Sequence, residues 1–361
     1  MKQRNAMQFS VVMSLTLAIS ACGTGSEGIA PTVSAHPDLS GTYDVSTLTP
    51  LQRPTEFGDN LELTTEQANA ILARNEKRVG QRQHNRGTVT TAPPAGGAPP
   101  IGSERDGAGN VGGYNHFWVD PGTDVFTVDG KFRTSIIVEP KNGRIPELQE
   151  ATQQRVAERR RLRQPKDGTA WWLDEDGVGP YDDPELLGIS ERCILGFTGA
   201  TPTFPSLYNN YKRIVQTEDY VLILIEMVHD ARIVRMNSQH LPAGTGMWLG
   251  DSIGWWEGDT LVVDTTNFHP LARPGRRGSV DAHVVEHFSR LDDGNLLYRF
   301  TVEDPTVWAE PWTGEYIWRA SEEKLYEYAC HEGNYSMGGI LRGARLLEAD
   351  KRAGIDSSGA D

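Results

Sequence analysis

Val284-Val285-Glu286-His287-Phe288-Ser289-Arg290-Leu291 and Asn295-Leu296-Leu297-Tyr298-Arg299-Phe300-Thr301-Val302-Glu303, joined by Asp292-Asp293-Gly294, decide the fold. Apolar and polar residues alternate along both runs, and a turn this short forces the two strands to be antiparallel neighbours. The same pattern extends outward. Lys131–Glu139, Tyr211–Gln216, Tyr220–Val234, Thr260–Phe268, Glu315–Ala320 and Lys324–His331 also read as strands, several joined by turns such as Thr217-Glu218-Asp219, Glu257-Gly258-Asp259 and Ser321-Glu322-Glu323. About eight antiparallel strands in chain order predict a mainly β fold, an up-and-down β-barrel or strongly curved sheet with a few covering helices.

The helices are sparse. Thr64-Thr65-Glu66-Gln67 has the form of a capping box and predicts a helix over about 65–79. A second is expected over Leu148–Arg163, where Arg155, Arg159, Arg160, Arg161 and Arg163 read as a solvated face. Residues 86–113 thin to Thr, Ala, Pro and Gly and read as a flexible insert, with a single domain over 37–345 and a disordered tail over 346–361. The chain has 361 residues, 38% of them hydrophobic, which suffices for one sizeable core. Its net charge of −14 argues against nucleic acid as a partner.

Lys2 and Arg4 precede an apolar run, Met7 to Ala21, too short to span a bilayer, so residues 1–21 read as a signal peptide. The run ends Ile19-Ser20-Ala21-Cys22, which resembles the lipobox of bacterial lipoproteins. That resemblance implies a lipidated Cys22, a tether over 22–36, and, with Gly23 next, attachment to the outer membrane facing the periplasm. Cys193 and Cys330 then remain as a candidate disulfide in an oxidising compartment, or as two separate buried thiols.

Two catalytic patterns lack their required context. Gly250-Asp251-Ser252-Ile253-Gly254 matches a serine nucleophile elbow but leads into a strand instead of a helix. His283-Val284-Val285-Glu286-His287 matches a zinc pattern that works only on a helix; on a strand its histidines lie roughly 13 Å apart. No metal is therefore expected, and without a phosphate loop or dinucleotide fingerprint no cofactor is either.

The candidate site residues are polar groups interrupting apolar strands. In Glu226-Met227-Val228-His229-Asp230-Ala231-Arg232, a regular pleat puts Glu226, Asp230 and Arg232 on one face and His229 on the other. Arg232 is expected to hold Asp230 ionised, leaving Glu226 as the carboxyl with the raised pKa, unless the cluster is only an internal salt bridge. Tyr328-Ala329-Cys330-His331-Glu332-Gly333-Asn334-Tyr335 ends the last expected strand, with His331 as acid or base and Glu332 or Asn334 as an orienting group. Tyr208, Asn209, Asn210, Asp264, Asn267, Tyr328 and Asn334 are the candidate substrate-binding groups.

Tyr208-Asn209-Asn210-Tyr211, the Glu226–Arg232 segment, Trp256–Phe268 and Tyr328–Tyr335 together resemble a family of uncharacterised exported bacterial proteins, over about Pro37 to Arg345. The resemblance carries no known reaction; it implies export and a single domain. Asp38-Leu39-Ser40-Gly41-Thr42-Tyr43 is also similar to the opening Gly-x-Trp strand of lipocalin-like barrels, with Tyr43 in place of the tryptophan.

These readings lead to two expectations. One is an exported, cofactor-independent acid–base enzyme, a lyase, hydratase or isomerase, acting on a small, partly apolar molecule. Glu226, Asp230, Arg232 and His331 would carry the chemistry, supported by His229 and Glu332. The other is a lipocalin-like carrier of a lipid, terpenoid or aromatic ligand. Either would touch the membrane only through its lipid anchor.

Overall fold

The computed structural model describes residues 35–85, 120–161, 169–196 and 201–355. Residues 1–21, expected to be a signal peptide, Cys22, all but the last residues of the expected tether over 22–36, and the expected insert over 86–113 lie outside the described residues. In chain order the elements are β1 (Gly41–Asp44), β2 (Glu62–Leu63), α1 (Thr65–Asn85), β3 (Thr127–Val128), β4 (Lys131–Arg133), β5 (Ile137–Glu139) and α2 (Glu150–Arg161). Then come β6 (Tyr211–Gln216), β7 (Tyr220–Ile225), β8 (Ala231–Met236), β9 (Asp251–Glu257), β10 (Thr260–Thr266), β11 (His283–Arg290), β12 (Leu296–Glu303) and β13 (Trp312–Ser321). A single helical turn, α3 (Cys330–Gly333), and α4 (Tyr335–Arg352) close the described chain.

The fold is a closed nine-stranded barrel, as the alternating runs predict. β1 and β6 through β13 pair in order, and Thr42–Asp44 of β1 pair with Arg319–Ser321 of β13 to close the ring. β5 pairs with the other end of the same β13 edge, at Thr313 and Gly314. All barrel pairs are antiparallel except β8 with β9, which run parallel. Parallel neighbours need a crossover connection. Residues 237–250 provide it, and they lead into β9, a strand that the sequence reading did not include.

Alternate residues fill the lumen. Leu296, Tyr298, Phe300 and Val302 of β12 are buried, as are Trp312, Tyr316 and Trp318 of β13 and Phe288 of β11. Phe288 meets Trp318 edge-on at 5.4 Å, and Phe300 meets Trp312 edge-on at 5.7 Å. Gly314 makes room for them: a Cβ there would lie 2.3 Å from Phe300 Cζ. Among the described residues the lumen at these positions is thus filled by aromatic rings.

Four expected elements differ. Lys131–Glu139 is not one strand: β4 pairs with β2 and β3 in a separate three-stranded sheet, while β5 joins the edge of β13. Tyr220–Val234 is a hairpin, because Glu226–Asp230 turns through Val228 and His229, both at positive φ. Lys324–His331 is not a strand; it runs irregularly into α3. The tail expected to be disordered from 346 continues as α4 to Arg352, whose Glu348 is buried and accepts the Trp172 Nε1 hydrogen bond at 2.9 Å. The two predicted helices are present. In α1 the capping box closes as expected, Thr64 Oγ1 accepting from Gln67 N at 3.2 Å and Gln67 Oε1 from Thr64 N at 2.8 Å. Among the described residues no helix is long and apolar enough to cross a membrane.

Candidate functional site

The segment Glu226–Arg232 splits between two environments. Arg232 points into the lumen and forms a bidentate pair with Glu286, whose Oε1 also accepts the Tyr298 hydroxyl at 2.6 Å. Thr201 Oγ1 accepts a further Arg232 hydrogen bond at 3.2 Å. Both partners are buried, and the attraction of Glu286 outweighs desolvation to raise the Arg232 pKa. Arg232 therefore does not hold Asp230 ionised, as the regular-pleat reading expected, because the turn at 226–230 breaks the pleat.

Asp230 instead accepts the Gly196 amide at 2.9 Å. Burial pushes its carboxyl up to about 6, against the opposing pull of that amide, His229 and Lys212. Lys212 of β6 is fully buried, its Nζ has no hydrogen-bond partner, and burial pushes it down to about 8 despite Glu226 and Asp230 nearby. The carboxyl with the raised pKa is thus Asp230, which has no full ion pair to offset its lost hydration. Glu226, also buried, accepts from Tyr326 N at 3.3 Å and so ties the 326–329 segment to the hairpin turn.

The remaining candidates gather unevenly. Tyr208, Asn209, Tyr328 and Asn334 line one polar pocket of about 520 Å³, walled by the Cys193–Cys330 disulfide. His229 is anchored beside it by its Nδ1 at 3.1 Å from the Tyr328 carbonyl. His331 and Glu332 are exposed on α3 and do not end a barrel strand. Asn334 caps α4 and donates to the Glu191 carbonyl at 2.7 Å. Asn210 is structural, donating to the Asp120 and Ser206 carbonyls and accepting from Ser206 N.

Asp264 and Asn267 lie elsewhere. Asp264 accepts from His283 and His240, and those contacts overcome desolvation to lower its pKa, while the same bond raises that of His283. His240 also contacts Asp251 at 3.1 Å, and Asn267 accepts from Gly244 N at 3.2 Å. Together they fasten the crossover 237–250 to the barrel wall. The Ser252 hydroxyl contacts Thr265 Oγ1 at 2.8 Å within the sheet, as a strand residue does, and His283 and His287 sit on β11. Among the described residues no group of three or more His, Cys, Asp or Glu could hold a metal.

One mainly apolar opening was not singled out by the sequence reading. A groove of about 640 Å³ crosses the barrel end, walled by Leu51, Ile136, Leu195, Phe204 and Leu207, with Gly196 on one side and Arg273 and Arg276 on the other. The Arg276 guanidinium lies 5.1 Å over the Phe204 ring. Among the described residues it has no ion pair, and burial alone pushes its pKa below the usual arginine value. Its backbone is left-handed, φ 77°, which costs a non-glycine residue roughly 1–3 kcal/mol.

Local sequence explains the placement. Gly275 precedes Arg276 at φ 57°, and a Cβ there would come within 3.0 Å of Trp312 and Val302. Arg273-Pro274-Gly275-Arg276-Arg277-Gly278 can therefore lie flat on the tryptophan end of the barrel and turn its arginines outward. That hexapeptide, with two glycines spacing three arginines in an acidic chain, was the available signal. Compared with models of protein families and with curated proteins, the chain has no match.

Proposed function

We propose that the protein is an exported, lipid-anchored binding protein for a small apolar molecule bearing negative charge, held in the groove at the barrel end. One observation carries this reading: Arg276 is strained, has no ion pair among the described residues, and lies over Phe204 at the rim of a mainly apolar groove. Arg276 is solvent-exposed at the groove rim and has no counter-charge there among the described residues, so an anionic ligand would gain a charge-assisted contact with it. The packed lumen favours this groove over the barrel interior as the site. The lipobox-like Ile19-Ser20-Ala21-Cys22 supports the anchor.

Calorimetric titration with decanoate and decanol tests the reading. The wild type should bind decanoate more tightly than decanol, and Arg276→Leu should remove that preference. Equal binding of the two by the wild type would contradict it.

The acid–base enzyme reading has its own support. Asp230, pushed to about 6, and Lys212, pushed to about 8, sit behind Gly196, whose amide Asp230 accepts and whose backbone lines the groove. Such perturbed pairs are typical of proton-transfer sites. If they act, Asp230→Asn should keep its melting temperature and lose about 10²–10⁴-fold in turnover of whatever compound a deletion strain accumulates. Unchanged turnover would leave binding alone.

A further inference from the structure

The groove does not end at Arg276. A second cavity of about 850 Å³ begins there, sharing Arg273 and Arg276 with the first and adding Arg277 and Arg155 of α2. Asp281 is its one acidic lining residue. In a chain of net charge −14, four arginines and one carboxylate line this cavity, a local excess of positive charge. Arg155, Arg276 and Arg277 have no ion pair among the described residues; the Arg155 guanidinium donates only to Thr152 Oγ1, one helical turn back. Arg273 has a different task, donating to the Pro270 and Ala272 carbonyls at 2.7 Å and holding the loop's shape.

We infer that the ligand's charged end is a multivalent anion, of the phosphate monoester class, seated among Arg155, Arg276 and Arg277 while its apolar body lies in the groove. A monocarboxylate would engage one guanidinium and leave the others uncompensated. A dianionic phosphate head offers three acceptor oxygens, enough for planar donors approaching from α2 and from the 273–278 loop together. Ser279 and Thr306 hydroxyls, 3.1 Å apart on the cavity lining, add neutral donors without adding charge. The arginine run of α2, expected to be only a solvated face, thus has at least one member facing a site. This inference rests on the groove being a ligand site.

The test is calorimetric titration of the full chain with decyl phosphate, decanoate, decanol and inorganic phosphate at pH 8 and moderate salt. Decyl phosphate should bind about tenfold or more tighter than decanoate, as expected for added charge-assisted contacts. It should also bind tighter than inorganic phosphate. Arg155→Ala/Arg277→Ala, two exposed positions, should collapse the phosphate-to-carboxylate ratio towards one. Equal affinity for decyl phosphate and decanoate, or a ratio that survives the double substitution, would overturn the inference while the groove reading stands. Inorganic phosphate matching decyl phosphate would also overturn it, since the apolar body would then add nothing. Failure of all three decyl compounds to bind would overturn the groove reading and the inference with it.

Discussion

Two buried charge clusters differ in how far their charges are compensated. Arg232 and Glu286 compensate each other fully inside the lumen, so removing one charge should cost far more than removing both. Arg232→Met should lower unfolding free energy by about 3–5 kcal/mol, and adding Glu286→Gln should recover part of that loss. Urea denaturation of the three variants measures this; equal stability of Arg232→Met and the wild type would refute the pairing. Asp230 behaves oppositely. With a folded pKa of about 6 against an ordinary 3.8, its carboxyl holds a proton in the fold that it would release in the unfolded chain between those values. Its contribution is present below pH 3.8 and lost as pH rises through about 6. Carboxyl NMR should show a midpoint near pH 6, and Lys212→Met should move it higher, because the Lys212 charge holds it down. A midpoint at the ordinary aspartate value would show the site to be hydrated.

Among the elements, the loop 273–278 and the segment 190–196 frame the groove, and each depends on a local device. Gly275→Ala would force a Cβ against Trp312 and Val302 at an unfavourable φ, so we expect roughly 1–3 kcal/mol of destabilisation and loss of decanoate binding as Arg276 is displaced. Calorimetry beside a thermal melt separates the two effects. The Cys193–Cys330 bridge ties the groove wall to α3 across 137 residues of sequence, and reducing it should cost about 2–5 kcal/mol in chemical denaturation. Unchanged stability after reduction would show the wall to be held by its other contacts.

Strands with clean alternation, such as β11 and β12, were legible in the sequence because period two and a short turn leave little choice. The 226–230 turn was not, since apolar residues continue through it and left-handed Val228 and His229 carry no glycine to mark them. β9 was hidden by Gly254 within it and Gly250 just before it. The 324–331 segment looked like a strand by composition, yet it is fixed by distant contacts to Glu226 and Cys193 that no local pattern encodes.

For the whole molecule, ring packing inside a closed barrel converts a cavity fold into a rigid plug with binding space at its end. Arg232 and Glu286 of the barrel strands thus pair with each other inside the lumen, while Arg276 and Arg277 over the end have no ion pair among the described residues. The site was half legible: Tyr208, Asn209, Tyr328 and Asn334 were nominated and meet in one pocket, but Arg276 and Phe204 come together only through the folded chain. The central claim concerns where an apolar anion sits. A long-chain carboxylate carrying a diazirine near its tail, photolysed on the full-length protein and mapped by mass spectrometry, tests it most directly. The account predicts labels on peptides containing Leu51 or Ile136, abolished in Arg276→Leu; labels confined to the Tyr328–Cys330 pocket, or unchanged in that variant, would contradict it.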